Sequence, residues 1–594
     1  MIQSNDTNIK GILDEIDCGK TQLPDFQRGW VWEDNRIRAL IASISNGYPI
    51  GAAMFLDATG NNVRFKSRLF EGVDKQYESV VPNTLVLDGQ QRTTSMYRAL
   101  FCKKVVETTD DKKKPIKRFY YIHIPTSLDT LTDRIDAIIS VPEDRIIREN
   151  IGRDIRLDLS TPEQEYKEMY FPLNIIFDSA ATMKWQRQFS RYYNSDETDS
   201  IWDSFYDKIV TPMMSYRMPV IKLGNDVPKE AVCQVFENVN QGGVSLTVFE
   251  LITATFAADN FELRKDWDSI WAELRKQNVL QFKGNQPAFT GTDFLTAITL
   301  YNSYKQYKAG KRASISCKKK DVLGLQLSEY KSCRDAVLEG IGEAVNFIQN
   351  KCHIYTSVDL PYTSQLIPLV VVFAIDKNLW FNNKNSSKLS RWYWCGVFGE
   401  LYGGANETRY VMDVQGLMKW VNDDEDLPDT VIRSNFYASR LQQLKTRNSA
   451  AYKGVMALIL KNHCKDFISG DEMDYASYAS EATDIHHIFP SHFCESMNYD
   501  EKKWNSVINK TPIYARTNRI IGGVAPSKYI SSIERNHGVK SNDLDAFLAS
   551  HLIDVESIRK DDFDSYYRER TKSLIALIEK ATSKPIAGQL DAKE

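Results

Sequence analysis

An α+β protein of several domains is what this sequence predicts, and three observations carry the prediction. The chain has 594 residues, and domains run to about 100–200 residues each. Short apolar runs of strand character, at 84–87, 119–124 and 220–223, alternate with segments whose apolar residues recur at helical spacing. An acidic, proline-bearing stretch, Asn422-Asp423-Asp424-Glu425-Asp426-Leu427-Pro428-Asp429, separates two periodic segments and reads as a linker. The expected domains are therefore 1–257, a helical middle with its linker at 258–430, and 431–594.

Composition narrows the function classes. It is that of a soluble globular protein. A net charge of −3 gives no global attraction for nucleic acid, so any polyanion site must be a local patch. Nine cysteines lie scattered with no C-x-x-C pair, which reads as reduced thiols in a cytoplasmic protein. No charged-then-apolar leader pattern opens the chain. The longest apolar run, 366–375, contains Pro368 and falls far short of the about 20 residues that cross a bilayer. No membrane partner is expected.

Residues 1–60 open with a short amphipathic helix, then Leu23-Pro24-Asp25-Phe26-Gln27-Arg28-Gly29-Trp30-Val31-Trp32. Ile37, Leu40, Ile41 and Ile44 recur at helical spacing, and Gly47 fits a C-cap before Tyr48-Pro49-Ile50-Gly51. Gly19-Lys20-Thr21 mimics the end of a P-loop, but Asp14 stands where that motif needs glycine. Next, Thr84-Leu85-Val86-Leu87-Asp88-Gly89-Gln90-Gln91-Arg92-Thr93-Thr94-Ser95-Met96 reads as a strand, a tight turn and a helix. Such a junction presents free N–H groups to an anion, Arg92 adds a bidentate contact, and Asp88 can hold a cation or orient water. On these residues alone an ordinary structural turn is the stronger reading, because Asp-Gly is common turn chemistry.

Toward the C-terminus, Asp484-Ile485-His486-His487-Ile488-Phe489-Pro490 is answered by Asn509-Lys510-Thr511-Pro512 and Thr517-Asn518-Arg519-Ile520. Six of the eight histidines lie after residue 460. Neighbouring side chains in a strand point to opposite faces, so His486 and His487 take different jobs, one suited to a metal and the other to substrate. An imidazole with an unperturbed pKa of about 6.5 is largely neutral at pH 7 and accepts a proton from water. A hard divalent cation stabilises a phosphate and its leaving group. Structural zinc is a competing use, since His463-Cys464 and His492-x-Cys494 lie close in sequence, although the spacings match no paired-ligand pattern. A purely structural His pair is another.

A His-His strand, a loop with Asn and a helix-like piece with Asn, in that order, resemble the ββα-metal (His-Me finger, HNH) nucleases. The resemblance implies His487 as general base and His486 with Asn518 as ligands of Mg²⁺ or Mn²⁺. Asn509 is implied to steady the loop that carries the base. Many members have Asp at the position of His486. At the other end stand Phe26-Gln27-Arg28 with Trp32, Tyr48-Pro49-Ile50-Gly51 and Asp88-Gly89-Gln90-Gln91-Arg92-Thr93. Phe236-Glu237-Asn238-Val239-Asn240 follows, leading to Gly243, Leu246 and Glu250-Leu251. Together these are similar to the N-terminal domain of the GmrSD-type modification-dependent (type IV) restriction enzymes, relatives of the phosphorothioate-sensing SspE proteins. That resemblance implies a ParB/sulfiredoxin-like domain that binds and hydrolyses a nucleoside triphosphate through Asp88, Gly89, Gln90, Gln91, Arg92 and Thr93, with Gln27 and Arg28 beside them. It further implies an HNH nuclease at the C-terminal end and modified phage DNA as partner, with a homodimer allowed.

Between the two ends, Lys305, Lys308, Lys311, Arg312, Lys318, Lys319 and Lys320 form a basic run preceded by Tyr301, Tyr304 and Tyr307. Lys311, Arg312, Lys318, Lys319 and Lys320 are the expected DNA contacts, because cations neutralise phosphates and tyrosines stack on bases. A solvated helix end is the plainer reading of the same run. Trp392, Trp394, Phe398 and Tyr402 are expected in the core, and one helix is expected to carry Leu441, Leu444, Tyr452, Met456 and Leu460 toward the His-His strand. The expected function is a nucleotide-regulated, metal-dependent endonuclease acting on modified foreign DNA. A nucleotide-dependent DNA-binding regulator and an RNA-cutting defence toxin are the alternatives.

Overall fold

The computed structural model describes residues 2–588 apart from 26, 28, 60–64, 150–153, 228–231, 233–246, 285, 405 and 481. Two compact units divide the chain, Met1–Leu263 and Arg264–Glu594. The residues expected as a helical middle and as a C-terminal domain thus fall within one unit. Packing explains this, because helix Asn383–Phe398 lies against both Ala450–Lys461 and Phe563–Thr582. The acidic stretch is also tied down, with the Asp424 carboxylate 2.5 Å from both Lys384 and Lys388.

In the first unit, a mixed six-stranded sheet runs in the order Ile2–Asn8, Arg217–Leu223, Ala53–Asp57, Thr84–Asp88, Thr21–Pro24, Ser67–Arg68. Thr84–Asp88 is interior, antiparallel to Ala53–Asp57 and parallel to Thr21–Pro24. An interior strand buries both faces, which is why Leu85, Val86 and Leu87 are apolar without alternation. Helices Ile9–Asp17 and Asp34–Ser45 bury Ile9, Ile12, Leu13, Ile16, Ile37, Leu40, Ile41 and Ile44 in the same core as Val86. A second antiparallel sheet centres on Pro115–His123, which pairs with Val106–Thr109, Ile138–Val141 and Tyr170–Pro172. The 236–246 part of the asparagine-bearing motif lies outside the described residues. Its continuation forms helix Val248–Ala257, opened by a capping box between Thr247 and Glu250.

The second unit is mainly helical. The 26-residue helix Leu327–Cys352 packs on Leu366–Ile375 and Gly291–Lys308. Trp392, Trp394, Phe398 and Tyr402 are buried, as their helical spacing predicts. In place of one continuous helix through 441–460 there are two, Ser439–Gln443 and Ala450–Lys461. The break has a tertiary cause, since the Leu444 carbonyl accepts Val507 N at 2.7 Å and the Lys445 carbonyl accepts Lys510 Nζ at 2.7 Å. The unit ends with helices Pro526–His537, Ser541–Ser550, Val555–Arg559 and Phe563–Thr582 around a hairpin of Thr483–His487 and Lys510–Tyr514. The eight described cysteines are free thiols, and no described helix is long and apolar enough to cross a membrane.

Two predictions follow from this packing. Gly51 has φ +86°, and a Cβ there would sit 2.3 Å from Arg92 Nη1. Arg92 escapes only by releasing the carbonyls it holds, so Gly51→Ala should lower first-unit stability by about 1–3 kcal/mol, read as a lower melting temperature. An unchanged melt would contradict the described loop. The second concerns acid. His486 and His551 are enclosed in the second unit, and burial lowers their pKa values to about 4 and about 3. The unfolded chain takes up these protons near pH 6.5 and the folded one does not. Stability should therefore fall as pH drops from about 6.5 toward 4, on the order of 1 kcal/mol per pH unit for each histidine. Urea unfolding at pH 7, 6 and 5 checks this, and equal midpoints would refute it.

Candidate active site

The turn expected at Asp88-Gly89 is built as a strand-to-helix junction. Gly89 adopts φ +88° as the N-cap of helix Gln90–Met96, and a Cβ there would lie 3.1 Å from that of Ala53. Only glycine takes this conformation without strain. Asp88 remains partly exposed, 3.5 Å from Arg92 Nη2. Arg92 does not stand free: Nη1 donates to the Ile50 carbonyl at 2.6 Å and Nη2 to that of Ala52 at 2.8 Å. It clamps the Tyr48-Pro49-Ile50-Gly51 segment to the junction.

The glutamines bind the aromatic loop in the same way. Gln91 accepts Val31 N at 2.9 Å and donates to the Gly29 carbonyl at 3.2 Å. Gln27 Nε2 donates to the carbonyls of Val86 and Leu87, both at 2.9 Å, while its buried Oε1 has no protein partner. Thr93 Oγ1 closes onto the Gly89 carbonyl at 2.9 Å, and Gln90 is buried beside it. The structure therefore brings Gln27, Asp88, Gly89, Gln90, Gln91, Arg92 and Thr93 together. Arg28 lies outside the described residues. Trp30 adds a bond from Nε1 to Ser95 Oγ at 3.0 Å, joining the loop to the helix.

In the second unit, His486 faces Thr511 and His487 faces Lys510 across the antiparallel ladder, and helix Ala515–Ile521 packs on the His-His strand. Alternation puts Asp484 and His486 on one face and His487 on the other. His486 is 2 % exposed; its Nδ1 lies 2.8 Å from Asn518 Oδ1, and its Nε2 has no hydrogen-bond partner. Asn518 Nδ2 in turn donates to Asp484 Oδ2 at 2.8 Å, and Arg447 approaches the other Asp484 oxygen at 3.3 Å. Burial keeps His486 neutral, with its pKa lowered to about 4 against the opposing effects of Asn518 and Asp484. One neutral imidazole nitrogen, one amide oxygen and one carboxylate oxygen lie in succession. That donor set fits a hard divalent cation.

His487 is the last residue of its strand. Its Nε2 sits 3.4 Å from Asn505 Oδ1, and its ring meets Trp504 edge-on at 5.9 Å. Burial, then the nearby Lys510 ammonium, lowers its pKa, while the Asn505 bond works the other way. His487 is thus held as a free base at neutral pH. Lys510 is itself pushed down to about 8 by burial, and its Nζ donates to Asn505 Oδ1 at 2.9 Å.

Asn509 is fully buried and bonds the loop that follows His487. Its Oδ1 accepts Phe489 N at 2.9 Å, and its Nδ2 donates to the carbonyls of Phe489 at 2.8 Å and Trp504 at 2.9 Å. It positions the loop and touches no open space. Below it, Arg570 is also fully buried and donates to the carbonyls of Ile508 at 2.7 Å, Lys510 at 3.1 Å and His551.

The basic run lies elsewhere in this unit. Arg312 is engaged by Asp321 at 2.6 Å, and Tyr304 is buried. Lys305 and Lys308 lie over the rings of Tyr301 and Tyr304. Lys311, Lys318, Lys319 and Lys320 sit on or before the short helix Lys319–Leu323. As for the zinc alternative, no three His, Cys, Asp or Glu side chains converge to hold a metal among the described residues.

Asp484, Asn505, Lys510 and Arg570 were not assigned from sequence. Asp484 alone had a local signal, two residues before His486 on the same strand face.

A protein of Methanocaldococcus jannaschii described as uncharacterized is 27% identical to this chain over 588 residues, covering 93% of this chain and 92% of its own length. Residues 9–257 match the family model of the GmrSD restriction endonuclease N-terminal domain, which spans nearly all of the first unit.

Proposed function

We propose that this protein is a restriction-type endonuclease that hydrolyses phosphodiester bonds in modified foreign DNA, with an HNH centre in the second unit. The observation that carries the reading is the pairing of two unlike histidines on one strand. His486 is sunk into an imidazole–amide–carboxylate cluster, while His487 sits on the opposite face at the strand end as a free base. The match of residues 9–257 to a restriction endonuclease domain supports DNA as the substrate.

In this mechanism His487 accepts the proton of the attacking water, and its lowered pKa keeps it competent at neutral and mildly acidic pH. Lys510 maintains that state by disfavouring imidazolium, and Asn505 orients the ring. Asp484, His486 and Asn518 would hold Mg²⁺ or Mn²⁺, which supplies Lewis-acid stabilisation of the phosphate and the departing oxygen. Asn509 and Arg570 hold the loop so that His487 keeps its place.

The first unit is proposed to bind and hydrolyse a nucleoside triphosphate at the Asp88–Thr93 junction. Arg92, which clamps Ile50 and Ala52 to the turn, would add its remaining N–H donors to the phosphate contacts of the junction's backbone N–H groups. Nucleotide alters cleavage only through different affinities for the resting and cutting arrangements.

Plasmid nicking in Mg²⁺ or Mn²⁺, with modified and plain DNA, tests the reading. His487→Ala should fold normally and lose at least about 10²-fold in rate. Asn518→Ala should need more metal or lose activity. Cutting at the wild-type rate by His487→Ala would remove its assignment as base.

A further inference from the structure

The second unit contains a cleft of about 540 Å³ that belongs to neither the His-His centre nor the basic run. Lys351, Arg391, Lys461 and Lys580 line it, together with Ser387 and Asn462, and the lining contains no carboxylate. The four cations come from four different helices, Leu327–Cys352, Asn383–Phe398, Ala450–Lys461 and Phe563–Thr582. None of them has a carboxylate partner among the described residues. Lys351 lies over the Trp380 ring, and Arg391 donates to the carbonyls of Thr582 at 3.0 Å and Ser583 at 3.3 Å. The neighbouring Glu579 turns away to accept Ile586 N at 2.8 Å.

Helix capping accounts for part of this charge. Lys351, Lys461 and Lys580 occupy the last turns of their helices, where a cation offsets the negative dipole end. Each end carries about −0.5 charge, so three ends offset about −1.5 against four cations. A surplus of about +2.5 remains, and the N-terminal end of Asn383–Phe398 adds about +0.5 more. A surplus of that size beside hydroxyl and amide groups suits an anionic partner.

We propose that this cleft binds the phosphate backbone of duplex DNA, an inference that takes the identity of the polymer from the nuclease reading above. Recognition of a base or free nucleotide calls for an exposed aromatic face or a carboxylate for the sugar. Here Trp394 is fully buried and no acid is present. What the cleft offers is cations, hydroxyls and amides, the contacts that position a DNA backbone without reading sequence. Its location agrees. Arg570 holds the carbonyls flanking Asn509, and Lys580 lies ten residues further along the same helix. Ten residues rise about 15 Å, which is four to five base pairs at about 3.4 Å each. The rise from Arg570 to Lys580 is thus less than half a turn of duplex.

Fluorescence anisotropy of the full chain with a short unmodified duplex, in EDTA and over a range of salt, tests this. Lys461→Gln/Lys580→Gln should weaken binding at least tenfold at moderate salt and flatten the log–log salt slope by about two, since each phosphate contact contributes about 0.9. Lys461→Arg/Lys580→Arg should bind as wild type, which separates charge from misfolding. An unchanged affinity and slope in the Gln variant overturns the proposal, as does a variant that loses only inorganic phosphate or ATP binding. Plasmid cutting assayed alongside keeps the two readings apart. Cutting with unaltered binding in the Gln variant removes the cleft and leaves the nuclease. Weakened binding in a protein that never cuts removes the nuclease and leaves a DNA-binding cleft.

Discussion

The guanidinium of Arg570 is the interaction on which the second unit's candidate site rests. It is fully buried, has three backbone carbonyls as its partners, and those carbonyls belong to Ile508, Lys510 and His551. Burying a charge is costly unless hydrogen bonds replace its water, and bonds to a charged group contribute about 1.5–3 kcal/mol each. Two of the three carbonyls bracket Asn509, whose own side chain bonds Phe489 and Trp504. The chain after His487 is thereby fixed from both sides.

From that anchor the chemistry separates along one strand. Period-two alternation turns two adjacent histidines into groups with different environments. His486 is enclosed, neutral and directed at Asn518 and Asp484, while His487 ends the strand beside Asn505 and Lys510. Burial lowers both pKa values, but it serves different ends. A neutral imidazole is a ligand in one position and a free base in the other. The first unit uses hydrogen bonds to similar effect, with Gln27, Gln91 and Arg92 spending their donors on backbone carbonyls to lock three separated motifs around one turn.

Local patterns were legible in the sequence and long-range partners were not. The strand, turn and helix at 84–96 could be read because each part carries its own signal: an apolar run, Asp-Gly, then polar residues opening a helix. The His-His strand with its two asparagines was readable by order, and Trp392, Trp394, Phe398 and Tyr402 by helical spacing. Arg570 and His551 were not readable, since the residues they bind lie far away in the chain and no periodicity links them. The bonds of Arg92 to the Ile50 and Ala52 carbonyls were not readable either, since those partners have no sequence signature. The helix expected through 441–460 breaks where Val507 and Lys510 claim the carbonyls of Leu444 and Lys445, a tertiary demand that overrides local propensity.

The division of labour between His486 and His487 is the central claim, and the electron spin-echo spectrum of Mn²⁺ bound to the full-length protein addresses it directly. Nitrogen modulation from one imidazole is predicted in the wild type. The signal should vanish in His486→Ala and persist in His487→Ala. Modulation lost with His487→Ala and kept with His486→Ala, or absent from the wild type, would contradict the account.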